Sequence, residues 1–561
     1  MDEKIKHIIR LIYGESFSLG HIQILSENIR NAKNVISDKR KSKWDEQNVI
    51  LITYADQFQN SEKKSLPILT RFYNRWLSPY FSHVHLLPFY PWSSDDGFSV
   101  MDYHRVASKT GGWGDIAALK KSANLMFDFV CNHMSAKSQW FENYLNQKPG
   151  FEDFFIAVDP DTDLSAVTRP RVLPLLTPFT LADGSIRHLW TTFSDDQIDL
   201  NFASPQVLIA MVDVLLHYLV EGADYLRLDA VGFMWKVPGT TCIHLENTHR
   251  LIQLFRAITE VVAPGTVIIT ETNVPHKDNI SYFGDGSNEA QMVYQFSLPP
   301  LVLYSVHSQN VQALCRWAQT LELPSNETTW FNFLASHDGI GLNPLRGILP
   351  EEDILTLVEK LQNEGARISW KNNPDGSRSP YEINVTYLDA LSQQSLDDSE
   401  RIARFVLAHA MLLSFPGVPA IYIQSILGSR NDYDGVERLG YPRAINRRKY
   451  HDGEIDAELE EENNLRYKVY HALTKMIAMR REQKAFHPDS KANFSSPNES
   501  ILKITRASGD GEKITALFNV SNKAQSITEE IPPGVDLITG SNITESILIL
   551  TPWQVMWIKH R

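Results

Sequence analysis

Three cysteines in 561 residues, Cys131, Cys242 and Cys315, are too few and too far apart for a disulfide framework or a metal-binding cluster. Such sparse usage fits a reducing compartment. Long hydrophobic runs are missing as well. No stretch reaches the ~18 apolar residues that a membrane span needs, and Met1–Gly14 mixes charges with apolar residues at helical spacing where a signal peptide would carry an unbroken apolar core. A cytoplasmic protein with no membrane partner is expected. Positive charge is in the minority, with 54 Lys and Arg against 67 Asp and Glu for a net charge of −13. That balance repels phosphate backbones, which excludes nucleic acid as the expected partner. Neither internal repeats nor low-complexity segments occur.

What is present is apolar material for several cores, 43% of the chain, arranged in a rhythm of short apolar runs and longer amphipathic stretches. Eight runs read as strands: Val49–Tyr54, His83–Leu87, Leu125–Val130, Tyr225–Leu228, Thr266–Thr270, Met292–Leu298, Trp330–Ala335 and Val418–Ile423. Eight is the number that closes a (β/α)8 TIM barrel. The stretches between them carry helix punctuation. Ser204-Pro205 offers an N-cap and a first-turn proline, Val207, Leu208, Met211, Leu215, Tyr218 and Leu219 share one face, and Gly222 supplies a stop.

The predicted organisation is an N-terminal helical extension (1–44, ending in the basic run Lys39, Arg40, Lys41, Lys43), then a barrel in three parts (45–133, 204–338, 401–485). Two insertions interrupt it, 134–203 after the third strand and 339–400 after the seventh, the latter with the polar stretch Lys371–Gly376. Short strands such as Ser500–Arg506, Ile514–Val520 and Ser546–Leu550 make 486–561 a small antiparallel β domain. Loops that follow barrel strands form the active-site face, so both insertions should wall a pocket.

The ends of four strands carry groups that a barrel core would reject: Asp128 with Asn132-His133, Arg227 with Asp229, Glu271, and His337-Asp338. An unpaired buried carboxylate is costly, so acids that barrel geometry gathers around one mouth must face water or act together. Two carboxyls ~5–5.5 Å apart are what a retaining glycosidase uses, one as nucleophile and one as acid/base. Arg227, on the same strand face as Asp229, would keep that acid ionised, and crowding by acids would raise Glu271 towards general-acid duty.

In order and placement these segments resemble the four short signatures of glycoside hydrolase family 13, the α-amylase family. The resemblance implies Asp229 as nucleophile, Glu271 as acid/base and Asp338 as the holder of the sugar's 2- and 3-hydroxyls, with His133 and His337 contacting the glucosyl unit. It implies no cofactor, and no metal, since Asn132 alone does not make a calcium site.

Leu87–Pro91, Asp95-Asp96-Gly97-Phe98 and Ile445-Asn446-Arg447 are similar to segments of the sucrose-phosphorylase-like subgroup. There Asp95 and Arg447 would close the pocket at the 4-hydroxyl end and Phe98 would touch the glucose, leaving room for one sugar. Two positions depart from sucrose phosphorylases, which carry Tyr and His where this chain has Phe233 and Asn273. Trp190–Gln197 and Gly428–Tyr433 instead resemble phosphorylases of 2-O-α-glucosylglycerate, with Gln197 among the substrate-binding residues. The implied reaction is reversible, retaining phosphorolysis by a hexosyltransferase, with glucosylglycerate, phosphate, α-glucose 1-phosphate and glycerate as small-molecule substrates. Cations must then meet phosphate and the glycerate carboxylate. Arg171 and Tyr381 are the favoured candidates, followed by Arg169, Lys236, Arg430 and Arg438. Trp190, Phe193 and Phe233 are candidates for sugar stacking. Still open are a phosphorylase of sucrose, sucrose 6-phosphate or glucosylglycerol, an α-glucosidase, a non-catalytic carbohydrate-binding barrel, and assembly as a homodimer.

Overall fold

The computed structural model describes residues 1–37, 40, 43–373, 375–544 and 547–561. Lys39 and Lys41 of the N-terminal basic run, Pro374 of the polar stretch and Ser546 at the start of a predicted strand lie outside the described residues.

Eight parallel strands close on themselves in chain order: β1 (Ile50–Thr53), β2 (His83–Leu86), β3 (Asn124–Phe129), β4 (Tyr225–Leu228), β5 (Val267–Thr270), β6 (Met292–Tyr294), β7 (Thr329–Phe333) and β8 (Val418–Tyr422). Every residue in them is buried except Asn124, because helices cover the outer face and side chains fill the interior. This is a (β/α)8 barrel. The run read as Met292–Leu298 ends early. Leu298-Pro299-Pro300 begins the helix Leu298–Ser308, since proline cannot donate to a strand ladder but suits the first helical turn.

Two helices precede the barrel. In α1 (Glu3–Tyr13), capped by Asp2, the residues Ile5, Ile8, Ile9 and Ile12 form one buried face; α2 (Leu19–Val35) begins in a capping box between Ser18 and His21. They lie against two barrel helices, α3 (Pro205–Val220) and α4 (Glu246–Val262). The six apolar residues expected on one face of α3 are all buried. Ser204 does not cap that helix, because its hydroxyl donates to Gln206 Oε1 at 3.0 Å.

The segment after β3 holds the helix Gln139–Leu145 and the hairpin Leu176–Thr180/Ile186–Trp190. The one after β7 holds the helix Glu351–Asn363 and a three-stranded antiparallel sheet of Ile340–Gly341, Arg378–Asn384 and Arg367–Asn372. Both stand on the C-terminal side of the barrel.

The chain ends in a six-stranded antiparallel sheet that includes Ile501–Ala507, Lys513–Asn519 and Val555–His560. Leu502, Ile504, Phe518 and Trp557 join the same apolar cluster as the barrel, while Ile501, Leu517 and Ile558 face a second, smaller one. Two fully buried arginines bind across the junction. Arg480 donates to the carbonyls of Leu413 and Phe486, and Arg506 to those of Ser414 and His487. Trp557 Nε1 adds a bond to Ser414 Oγ at 3.0 Å. The three cysteines are buried and free. Among the described residues, no helix is long and apolar enough to cross a membrane.

Candidate active site

At the C-terminal ends of the strands lies a cavity of about 190 Å³, walled by both inserted segments. Behind its floor lies one guanidinium, that of Arg227. Arg227 on β4 and Asp229 just after it are two residues apart, and their side chains meet. Arg227 Nη1 lies 2.5 Å from Asp128 Oδ1 and 2.8 Å from Asp229 Oδ1, its Nε donates to Tyr294 Oη at 3.0 Å, and Nη2 is 3.9 Å from Glu271 Oε2. The register of β3 with β4 places Asp128 directly beside Arg227. On its other side His85 Nε2 donates to Asp128 Oδ2 at 2.7 Å. Burial opposes the Asp128 charge, but Arg227 and His85 outweigh it and hold the carboxyl below the usual range.

Glu271 follows β5, and its Oε2 accepts the Ala230 N–H at 3.1 Å. Ala230, next after Asp229, is left-handed (φ 50°, ψ 33°), a conformation that costs a non-glycine residue about 1 kcal/mol or more. The turn brings the amide after one acid onto the carboxylate of the other. Burial raises both carboxyls, with Glu271 and Asp128 adding to Asp229, and Asp338 adding to Glu271. Such a pair titrates together. The direct Arg227 contact favours the negative charge on Asp229, which leaves the proton to Glu271.

The third acid, Asp338, sits after β7. Arg443 Nη1 contacts its Oδ1 at 2.6 Å, His337 Nε2 is 3.4 Å from Oδ2, and Arg447 Nη2 is 3.9 Å away. Burial pushes this carboxyl up, yet the Arg443 and Arg447 charges hold it far below the usual range. Burial drives both His337 and His133 towards the neutral form. His133 Nε2 donates to the Phe98 carbonyl at 3.0 Å, and the Phe98 ring stacks on His337 with centroids 4.7 Å apart.

One end of the cavity is shut by charge. Arg447 Nη1 lies 3.4 Å from Asp95 and 3.1 Å from Asp96, and its Nε donates to the His337 carbonyl at 2.8 Å. Gln197 Nε2 donates to Asp95 at 3.2 Å. Asp95, Asp96 and Gly97 all have positive φ, and a β-carbon on Gly97 would lie 2.6 Å from the Pro88 carbonyl oxygen. Local strain here is fixed by the Arg447 contacts. In the cavity wall, Arg171 from the first inserted segment donates to the hydroxyl of Tyr381 from the second, with the Phe193 and Tyr381 rings each 5.7 Å from its guanidinium.

Of the residues singled out from sequence, Asp95, Phe98, His133, Arg171, Gln197, Asp229, Glu271, His337, Asp338 and Tyr381 line the cavity, while Arg227 and Arg447 brace it from behind. Arg169, Phe193, Phe233 and Asn273 also line it. Other candidates lie elsewhere. Lys236 is ion-paired with Asp199 at 2.6 Å and bonded to Asn132 at 2.8 Å, inside the protein. Arg430 pairs with Asp389, and Arg438 is exposed away from the cavity. Trp190 packs with Val167, Leu175 and Cys242 behind the wall. Sequence reasoning missed Arg443, Glu382 and Lys371. Arg443 Nη2 lies 3.0 Å from the buried Glu382, which also accepts the Gly339 N–H at 2.6 Å. The nearness of Arg443 to the Asn446-Arg447 segment was the one available signal.

Acids, a shared cation and a closed-ended cavity on the C-terminal face of a barrel define the class of carbohydrate-active (β/α)8 enzymes. The alpha-amylase catalytic domain family is matched by residues 76–341. Over 559 residues, and the whole of both proteins, the chain is 66% identical to glucosylglycerate phosphorylase of Escherichia coli (strain K12). It is 45% identical to glucosylglycerate phosphorylase of Allomeiothermus silvanus over 93% of each, and 31% identical to sucrose phosphorylase of Streptococcus mutans over 86% of this chain and 97% of that one. The crystal structure of sucrose 6F-phosphate phosphorylase from Thermoanaerobacter thermosaccharolyticum shares the fold, with TM-score 0.73 and 24% identity over 87% of this chain and 95% of that one. The chain belongs to glycoside hydrolase family 13, the α-amylase family, in its sucrose-phosphorylase subgroup.

Proposed function

We propose that this protein is a hexosyltransferase that catalyses reversible phosphorolysis of 2-O-α-glucosylglycerate to α-glucose 1-phosphate and glycerate, with retention. Asp229 attacks the anomeric carbon while Glu271 protonates the departing glycerate oxygen, which leaves a β-glucosyl ester on Asp229. Phosphate then displaces the carboxylate from the face that glycerate vacated, so the α configuration returns. Phosphate is already an anion and needs cations more than a base.

Asp338, His133 and His337 hold the glucosyl hydroxyls, Phe98 packs on the ring, and Asp95, held by Arg447 and Gln197, closes the 4-hydroxyl end. Arg171 and Tyr381 receive phosphate. The chemistry is supported by the single guanidinium of Arg227 shared between the acids. The observation that carries the choice of acceptor is 66% identity over the full length to a glucosylglycerate phosphorylase. Phe233 and Asn273, in place of the Tyr and His of sucrose phosphorylases, weigh against sucrose. Three unpaired buried thiols support a cytoplasmic setting. A homodimer is the assembly to test, by light scattering of the purified protein.

The deciding experiment supplies α-glucose 1-phosphate with glycerate, fructose, glycerol or water in parallel and measures phosphate released. Glycerate should be used best. A faster rate with fructose or glycerol would reject the acceptor, and equal release into water would reject the phosphorylase in favour of a glucosidase.

A further inference from the structure

Beyond Glu271 a line of polar groups runs along one wall of the cavity, away from the two acids. Asn273 stands two residues after Glu271, and its carboxamide packs so closely on Gly341 that a β-carbon there would lie 2.6 Å from Nδ2. Asn273 Oδ1 is buried with no hydrogen-bond partner in the protein. Two residues past Gly341, Asn343 Oδ1 accepts from Lys371 Nζ at 3.2 Å. Asn273, Asn343 and Lys371 all line the cavity.

Lys371 lies on the strand Arg367–Asn372, whose neighbour Arg378–Asn384 carries Tyr381 and Glu382. Among the described residues no carboxylate comes within ion-pair distance of Lys371. The charges that act on it are Arg346 and Glu351, which lie 3.7 Å from each other. Burial, and then Arg346, depress the ammonium below its usual range. A cation half-withdrawn from water, with no carboxylate in ion-pair contact among the described residues, favours an anionic ligand. By contrast Arg443, also in this wall, is already neutralised by Asp338 and Glu382.

The reaction proposed above brings two anions to the cavity, phosphate and the carboxylate of glycerate. Arg171, bonded to Tyr381, lies in the field of Arg443, Glu382, Asp95 and Asp338. Lys371 bonds Asn343, which stands two residues beyond Gly341; Asn273 packs on Gly341 and stands two residues beyond Glu271, the acid that passes its proton to glycerate. We infer that Lys371 is the specificity-determining residue for the acceptor: its ammonium, oriented by Asn343, binds the acceptor's carboxylate, and the Asn273 amide binds a neighbouring hydroxyl. This inference rests on the reading of glycerate as acceptor.

The test compares wild type, K371M and K371R in the synthetic direction, with α-glucose 1-phosphate as donor and either glycerate or glycerol as acceptor. The two acceptors differ in the carboxylate. Loss of one charge-assisted bond corresponds to roughly a ten- to hundredfold change. The glycerate-to-glycerol preference of K371M should fall by about that factor, through a raised KM for glycerate more than a lowered kcat, and K371R should recover part of it. An unchanged preference in K371M, or equal losses with both acceptors, overturns the inference while the proposed function stands. If the wild type itself prefers glycerol or fructose, the acceptor reading falls, and this inference with it.

Discussion

Arg443→Met removes the cation on which two acids depend, Asp338 in the cavity and Glu382 behind its wall. In the native protein its guanidinium forks onto Glu382 and reaches Asp338, whose side chains are 2% and 24% exposed. Breaking a buried ion pair from one side costs about 3–5 kcal/mol. For 561 residues the unfolding entropy is about 1.2 kcal/mol/K at ~2.1 cal/mol/K per residue, so the melting temperature should fall by roughly 2.5–4 °C at pH 7. The size of the loss must depend on pH. Asp338 is held below the ordinary carboxylate range, so its contribution is complete above the unfolded value of about 3.9 and fades as pH falls towards its folded value. Without Arg443 the folded value rises towards the unfolded one. The gap between wild type and variant is therefore widest near pH 7 and narrows below about pH 4. Thermal melts at pH 7 and pH 3.5 measure it, and the KM for α-glucose 1-phosphate should rise at the same time. A gap of equal size at both pH values, or a KM at the wild-type level, would refute the reasoning.

Asp229→Asn and Glu271→Gln should each reduce phosphate release from α-glucose 1-phosphate to background while the melting profile stays native; activity near wild type in either variant rejects the assigned roles. Because burial raises Glu271, the alkaline limb of the pH–rate profile should lie above the ordinary glutamate value of about 4.3, and a limb at or below that value would contradict Glu271 as the proton donor. Tyr381→Phe takes away the hydroxyl that accepts from Arg171, so the KM for phosphate in phosphorolysis should increase by up to about tenfold, and no change would separate this pair from phosphate.

The barrel could be read from the sequence because each strand is a short, mostly apolar run, and the acids could be read because charge in or just after such a run has no structural excuse. The Met292–Leu298 run misled because Leu298 is apolar in either state, and only its place before Pro299-Pro300 marks the helix start. Distant side-chain meetings left no such trace. Lys236 resembles a free cation in the sequence, but the fold brings Asn132 and Asp199 onto its ammonium. Trp190 resembles a sugar platform, but the hairpin turns it into the apolar filling between the inserted segment and Cys242. Glu382 and Lys371 are polar residues on the two strands of an inserted sheet and Arg443 sits in a short turn of helix, so local pattern gives their elements but not the distant groups their side chains meet.

The junction at the far end of the barrel has a consequence for how the molecule comes apart. Leu502, Ile504, Phe518 and Trp557 complete the apolar packing beneath the barrel, and Arg480 and Arg506 have their charges solvated by main-chain carbonyls from both sides of the seam. Separating the two sides breaks the bonds of Arg506 and Trp557 to Ser414 and uncovers the apolar residues between them. The terminal sheet is thus no detachable appendage: heat should melt it in step with the barrel, and a chain shortened before it would expose the underside of its own catalytic scaffold and aggregate.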